Sequence, residues 1–293
     1  MVLVVCGAWV VGAQGPPAAA VAEELRIRLV EQINRDRKAA GLAPVQYAAE
    51  LSAAADTHCR EMLAENYSSH WNRAGWKPYM RYAAAGIRDA TGENIASFWC
   101  SGCAVGAQTL WPLLLDAHQN FMQEQPPHDG HRRSILDPAH THVGIGVAFS
   151  GTGMRLIELF ADRYVELEPL PERARLRQNF RVAGRVTAKG YELLSVSVFY
   201  EPLPRAMSVA ELKATYSYSL PDEERQERPR LHGTTRVYLD GTLGTVEVGA
   251  GGVFQVPLTF WKQKPGVYTV AVWIRRGREP ALLAAQTSVH VEE

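Results

Sequence analysis

Three short stretches hold side chains able to do chemistry. "SSHW", residues 68–71, carries His70. "TGENIA", residues 91–96, carries Glu93. "GHRRSILDPAHTHVGIG", residues 130–146, carries His131, His140 and His142 beside Arg132 and Arg133. The chain has nine histidines, and seven of them lie between His58 and His142. Two imidazoles with one or two carboxylates have several uses open to them. They can bind zinc and leave a coordination position for water. The bound water would acidify, and a spare carboxylate could then act as general base. Without a metal, the same groups can hydrogen-bond a polar headgroup or a peptide carbonyl. A purely structural use is a hydrogen-bonded cluster that holds a helix to a sheet.

Other candidates read more simply. His58 lies on the apolar stripe of a helix, as a core or cleft-edge residue. His128 sits in a Pro-Pro-His-Asp-Gly loop and reads as solvated. His140 and His142 flank a strand and read as structural or exposed. Arg132 and Arg133 read as surface positions or members of ion pairs. Trp99-Cys100-x-x-Cys103 has the spacing of a thiol-disulfide motif, but redox catalysis needs the first cysteine near a helix N-terminus to lower its pKa. Here the pair falls in a loop outside any βαβ unit, so a local Cys100–Cys103 disulfide is the expectation. There is no Gly-x-Ser-x-Gly elbow, and no His-Glu-x-x-His helix or phosphate loop.

Composition bounds the partners. The chain has 293 residues, of which 46% are hydrophobic and 21% charged, enough to bury a real core. Lysine and arginine total 31, as do aspartate and glutamate, so the formal net charge is zero. Such a balance offers no electrostatic case for nucleic acid or for an anionic membrane. Residues 2–12 are apolar and precede small residues at Val11-Gly12-Ala13. That run is too short to span a membrane, and residues 1–14 read as a secretory signal peptide. The protein is therefore expected to be secreted or held in the cell envelope. Past that segment only Cys59, Cys100 and Cys103 remain, allowing one disulfide within the chain.

The elements that must position these residues come in two textures. Residues 21–40 read as a helix, with Leu25, Leu29 and Ile33 at i, i+4, i+8 and Gly41 at the stop. Residues 48–65 read as a second, with Leu51, Ala55, His58 and Met62 on one stripe. A third runs from about Leu110 to Glu124, with Pro112 in its first turn. Strands follow at 143–149 and 154–161, joined by a hairpin turn through Ser150-Gly151-Thr152-Gly153. The charged, proline-bearing stretch 166–175 reads as a linker, short enough to favour a fixed contact between the parts it joins. Beyond it come short alternating runs: FRVAGRVTA, YELLSVSVFY, TTRVYLD, TVEVG, VFQVPLTFW, VYTVAVWIR and TSVHVEE. They predict an all-β, immunoglobulin-like sandwich over 176–293. The fold class is thus α+β, with an α/β-textured domain over 20–165 ahead of the sandwich.

The first half also resembles a known family. "INRDRKAAGLAPVQYAAELSAAADTHCREM", with Asn34, Arg37, Gly41-Leu42, Leu51, Ala54 and Met62, is followed in order by "SSHWNRAGWKPYMR", "TGENIA" and "GHRRSILDPAHTHVGIGVAF". This order and spacing over about residues 22–165 resemble the CAP superfamily of cysteine-rich secretory, venom-allergen and plant pathogenesis-related proteins, in its bacterial SCP form. The resemblance implies an α-β-α sandwich with a cleft lined by two histidines and two acids. The histidines map to His70 and His131, and the first acid to Glu93. The second acid maps to Asp116, ahead of Phe121-Met122, with Glu124 as the runner-up because the segment before His131 is about four residues long for the family. The implied function is an exported protein whose cleft binds a metal ion, with Zn2+ on His70 and His131, or a small lipid or glycan-like ligand or other cell-envelope component. The sandwich would serve adhesion or spacing. A metal-dependent hydrolase or peptidase using His70, Glu93 and His131 is the alternative.

Overall fold

The structure, a computed structural model, describes residues 18–231 and 237–293. The expected signal peptide and part of the TTRVYLD run lie outside the described residues. The N-terminal region runs α1 (Ala18–Ala39), β1 (Gln46–Tyr47), α2 (Ala49–Ala64), α3 (Pro78–Ala84), β2 (Ala90–Trp99), α4 (Ala107–Gln123), α5 (Gly130–Ile135), β3 (His142–Ser150) and β4 (Gly153–Asp162). Its four strands form one sheet in the order β1-β3-β4-β2, which leaves β2 on an edge. β4 is buried along its whole length because helices cover both faces. Met154, Leu156 and Phe160 face a core shared with α1, α4 and α5. Ile157, Leu159 and Ala161 face a second core shared with α2 and Tyr82 of α3. The region is therefore three layers, α-β-α, as the period-2 alternation of a strand requires.

α2 lies unusually close to β3. A Cβ on Gly144 would stand 2.4 Å from both Leu51 Cβ and the Ser52 nitrogen, and one on Gly146 would stand 2.6 Å from Ala55 Cβ. That approach lets α2 finish the sheet. β1 pairs only with His142 and Val143, so farther along β3 lacks a strand on that side. The N–H groups of Ile145 and Val147 donate instead to Ser52 Oγ and Asp56 Oδ1, each at 2.8 Å. On the other layer, the buried Arg37 guanidinium of α1 donates to the carbonyls of Ala43, Ile135 and Asp137 at 2.7–3.0 Å, tying α1 to the end of α5.

The C-terminal region begins sooner than expected. Residues 166–175, read as a linker, contribute to β5 (Val165–Leu167) and β6 (Arg173–Arg175). Only Val165, Leu167 and Ala174 are buried there, too few among prolines and charges to show as strands in sequence. Then come β7 (Phe180–Val186), β8 (Glu192–Glu201), the short α6 (Val209–Lys213), β9 (Glu224–Glu227), β10 (Glu247–Val248), β11 (Val253–Leu258), β12 (Gly266–Arg275) and β13 (Leu282–Glu292). They form two sheets, β10-β11-β7-β5 and β6-β13-β12-β8-β9. Both contribute to one apolar core, with Val182, Phe254 and Val256 from the first and Val196, Tyr268, Val270, Val272 and Ile274 from the second. The immunoglobulin-like topology remains an expectation carried by the strand pattern.

The second face of β12 is buried too, and this fixes the two regions together. Val267 packs with Tyr79 and Met80 of α3. The Tyr79 hydroxyl donates to Glu201 at 2.5 Å, and Lys77 pairs with Glu201 at 2.7 Å. Gln286 of β13 donates its backbone N–H to the Arg88 carbonyl. One other reading shifts. α4 starts at Ala107, so Pro112 lies inside the helix, not in its first turn. The Gly-Glu-Asn-Ile-Ala motif lies within β2, and Cys100 and Cys103 follow it, joined as a disulfide, while Cys59 is free and buried.

The close approach of α2 is testable. Gly144→Ala is expected to cost at least about 1–3 kcal/mol, the range for overpacking a tight core. Gly151→Ala, where an added Cβ meets nothing within 4 Å, serves as the control. Urea unfolding checks the pair; equal stability would show that α2 does not sit this close to the sheet.

Candidate functional site

The candidate site follows the edge strand β2, whose successive residues face opposite layers. Glu93 pairs in register with Leu159, on the α2–α3 side, and Asn94 with Glu158, on the α4 side. Each of these two side chains organises one histidine.

On the α2–α3 side, the Glu93 carboxylate is fully buried. His70 Nδ1 stands 2.9 Å from Oε1, and Arg81 Nη2 donates to both oxygens at 2.9 and 3.0 Å. The Tyr82 hydroxyl donates to Oε2. Burial alone would raise the carboxyl pKa. The Arg81 guanidinium and then His70 outweigh it and hold the group at about 2. The same burial, with Glu93 alongside, pushes the Tyr82 hydroxyl well up, so it stays a donor. The backbone around His70 is also tied down. Arg81 Nη2 donates to the His70 carbonyl at 3.1 Å, and His58 Nε2 donates to the Ser69 carbonyl at 2.8 Å. His58 itself is buried, and that burial, with Arg81 nearby, lowers its pKa to about 3 and leaves it neutral. Tyr218, from the C-terminal region, lays its ring 5.0 Å from that of His70.

On the α4 side, Glu124 caps the end of α4 and holds His131, the second residue of α5. It accepts from His131 Nδ1 at 2.5 Å and from the His131 backbone N–H at 2.9 Å. The Phe121 ring lies 4.4 Å from the imidazole. Asp116 is exposed and accepts from Asn120 at 3.2 Å, away from His131. Of the two acids weighed from sequence, Glu124 therefore makes the contact. α4 ends only at Gln123, and Glu124 leaves the helix in extended backbone that turns it toward α5.

Asn94 links this side to a buried triad absent from the sequence reading. Its amide reaches the His131 carbonyl at 3.2 Å and Glu158 at 3.4 Å. Glu158 Oε1 stands 2.7 Å from His118 Nδ1, and His118 Nε2 stands 3.0 Å from Asp36. Burial opposes a charge on His118, but Glu158 and then Asp36 more than compensate and raise its pKa to about 9. Three further histidines, His140, His142 and His128, make other contacts or none. His140 pairs with Asp162 at 2.7 Å and stacks on Phe160, His142 contacts Thr141, and His128 is exposed. Arg133 pairs with Asp129 at 3.1 Å.

The arrangement leaves two imidazole edges free. The Nε2 atoms of His70 and His131 have no hydrogen-bond partner among the described residues, and their side chains are 16% and 36% exposed. Among the described residues no three His, Cys, Asp or Glu side chains converge as a group able to hold a metal. Glu93 is filled by its own partners, so a zinc ion here would have at most two imidazoles and no carboxylate, short of a usual zinc set.

The His118 triad gives a pH dependence with a definite sign. A raised folded-state pKa contributes stability that is fully present below the unfolded value of 6.5 and is lost as pH rises through about 9. The wild type is expected to lose about 3 kcal/mol of stability across this window. His118→Gln is expected to be weaker at pH 6.5 and nearly flat across the same range. Urea midpoints at both ends check this; parallel curves would contradict it.

Residues 30–161 match the profile of the cysteine-rich secretory protein family, CAP. An uncharacterized Bacillus subtilis protein, YkwD, is 31% identical over 126 residues, 43% of each chain, so this chain spans less than half of that relative's length. An extracellular protein containing an SCP domain from Bacillus anthracis shares 18% identity at a TM-score of 0.38, covering 48% of this chain and 41% of that one. An outer surface protein of Borrelia burgdorferi shares 17% at a TM-score of 0.37, covering 48% and 95%. Residues 30–161 are thus a domain of the cysteine-rich secretory protein (CAP) family, carried in a chain whose second half is built of β-strands.

Proposed function

We propose that the protein works outside the cytoplasm and binds a small polar group of the cell envelope, a lipid headgroup or a glycan unit, in the cleft along β2. The C-terminal region, as an immunoglobulin-like sandwich, holds and spaces that cleft. One observation carries the reading: each cleft histidine gives its Nδ1 to a carboxylate and keeps Nε2 free, so the cleft presents imidazole edges and not carboxylates. The names of the Bacillus anthracis and Borrelia proteins, extracellular and outer surface, agree with an extracytoplasmic setting, as does the apolar start of the chain. No described helix is long and apolar enough to cross a membrane.

The same geometry disfavours hydrolysis through Glu93. A general base works best with a pKa near the operating pH. Glu93 sits at about 2, is fully buried and already accepts from three side chains. Its role is to position His70.

The test is a calorimetric titration of the chain from residue 15 onward, beside a His70→Gln/His131→Gln variant. The titrants are zinc, vesicles of phosphatidylethanolamine and phosphatidylglycerol, and chitotetraose. Saturable binding of vesicles or the oligosaccharide, weakened at least about tenfold in a still-folded variant, is the expected result. Tight zinc binding lost in the variant, or equal behaviour of the two proteins toward every titrant, would overturn the reading.

A further inference from the structure

The C-terminal region does not stop at the sandwich. Between β8 and β9, residues 202–223 leave their sheet and lie across the His70 side of the N-terminal region. Leu212 of α6 is fully buried in the core of α2, beside Leu51, Met62 and Tyr67. Met207 and Arg73 exchange hydrogen bonds, Met207 N–H to the Arg73 carbonyl at 2.9 Å and Arg73 Nη1 to the Met207 carbonyl at 2.7 Å. Ser69 Oγ donates to the Thr215 carbonyl at 2.9 Å, and Trp71 Nε1 to the Ser217 carbonyl at 3.1 Å. Gly75, at φ 75°, passes so close that a Cβ would stand 2.2 Å from the Arg205 oxygen. The segment is a fixed wall.

Between its anchors and His70 a cavity of about 120 Å3 remains, lined by Ser68, Ser69, His70, Ile95, Thr215 and Tyr216. Three features define what fits. No lysine, arginine, aspartate or glutamate lines the cavity, so nothing there favours an ion over a neutral group. Ser69 and Thr215 already donate to the carbonyls of Thr215 and Glu211, which leaves the hydroxyls of Ser68 and Tyr216 and the His70 ring to exchange hydrogen bonds with hydroxyl or amide groups. Its size suits a hydroxymethyl or acetamido substituent and not an acyl chain, at roughly 30 Å3 per water-sized group. Beside it stands Tyr216, 79% exposed, an aromatic ring the folded chain has left in water. A flat ring next to a small neutral polar cavity matches the two-faced chemistry of a pyranose, which has an apolar C–H face and a hydroxyl rim.

We propose that Tyr216 and this cavity form a saccharide subsite, with the sugar ring resting on Tyr216 and one substituent entering beside His70. One wall of the site thus comes from the family domain and the other from the C-terminal region. The inference rests on the ligand-binding reading of the cleft and narrows it to a class of ligand.

The test uses the chain from residue 15 onward, titrated with chitotetraose and cellotetraose and followed by NMR on the Ile95 methyl groups and by calorimetry. At least one tetrasaccharide is expected to bind saturably and shift Ile95. Tyr216→Ala is expected to weaken that binding about tenfold or more, and Tyr216→Trp to keep it. Binding of neither sugar by the wild type would overturn the proposal. So would equal binding by Tyr216→Ala. If binding is unmoved by Tyr216→Ala but lost in His70→Gln/His131→Gln, the cleft reading stands and the subsite falls. Binding of vesicles but of neither sugar would likewise leave the cleft reading standing and overturn the subsite.

Discussion

The buried carboxylate of Glu93 sets the terms for the rest of this structure. A carboxylate removed from water costs several kcal/mol unless partners replace its hydration. Here the partners come from separate places: His70 from the loop after α2, Arg81 and Tyr82 from α3. Each must be held for the charge to be tolerated. α3 is held because its Tyr79 and Met80 pack on β12 of the C-terminal region. The loop is held by His58 from within and by residues 202–223 from outside. One ion pair thereby links the edge strand, a short helix and the second half of the chain.

The edge strand then distributes these constraints to both sides. Because Glu93 and Asn94 point to opposite layers, a single β-strand contacts His70 from one face and the His131 backbone from the other. Asn94 joins His131 to the buried His118–Glu158 pair, so the α4 side also rests on a charge network. On each side a carboxylate is spent on orienting an imidazole. The edges left without partners are the Nε2 atoms of His70 and His131.

Much of the fold was legible in sequence where elements are long. α1, α2, α4, β3 and β4 each show their period over several turns or alternations. α3 and α5, of seven and six residues, are too short to show one. β5 and β6 hold three buried side chains among prolines and charges. For the site, the motifs direct attention to His70, Glu93 and His131, and the structure pairs the first two. The choice between Asp116 and Glu124 depends on where α4 ends and how the chain turns, which no spacing rule encodes. Arg81 stood in plain view in "KPYMRY", and its signal was a charge within an otherwise apolar turn. Tyr218 and Tyr216 reach His70 only through the packing of two distant regions, and nothing local announces them.

His70 and His131 are both held through Nδ1, and Nε2 has no partner among the described residues. Nitrogen-15 NMR of the imidazole rings, recorded above their titration, tests it most directly. The account predicts that both neutral rings carry the proton on Nδ1, hydrogen-bonded to Glu93 and Glu124, with an unprotonated Nε2. Rings protonated on Nε2, or exchanging freely between tautomers, would contradict it.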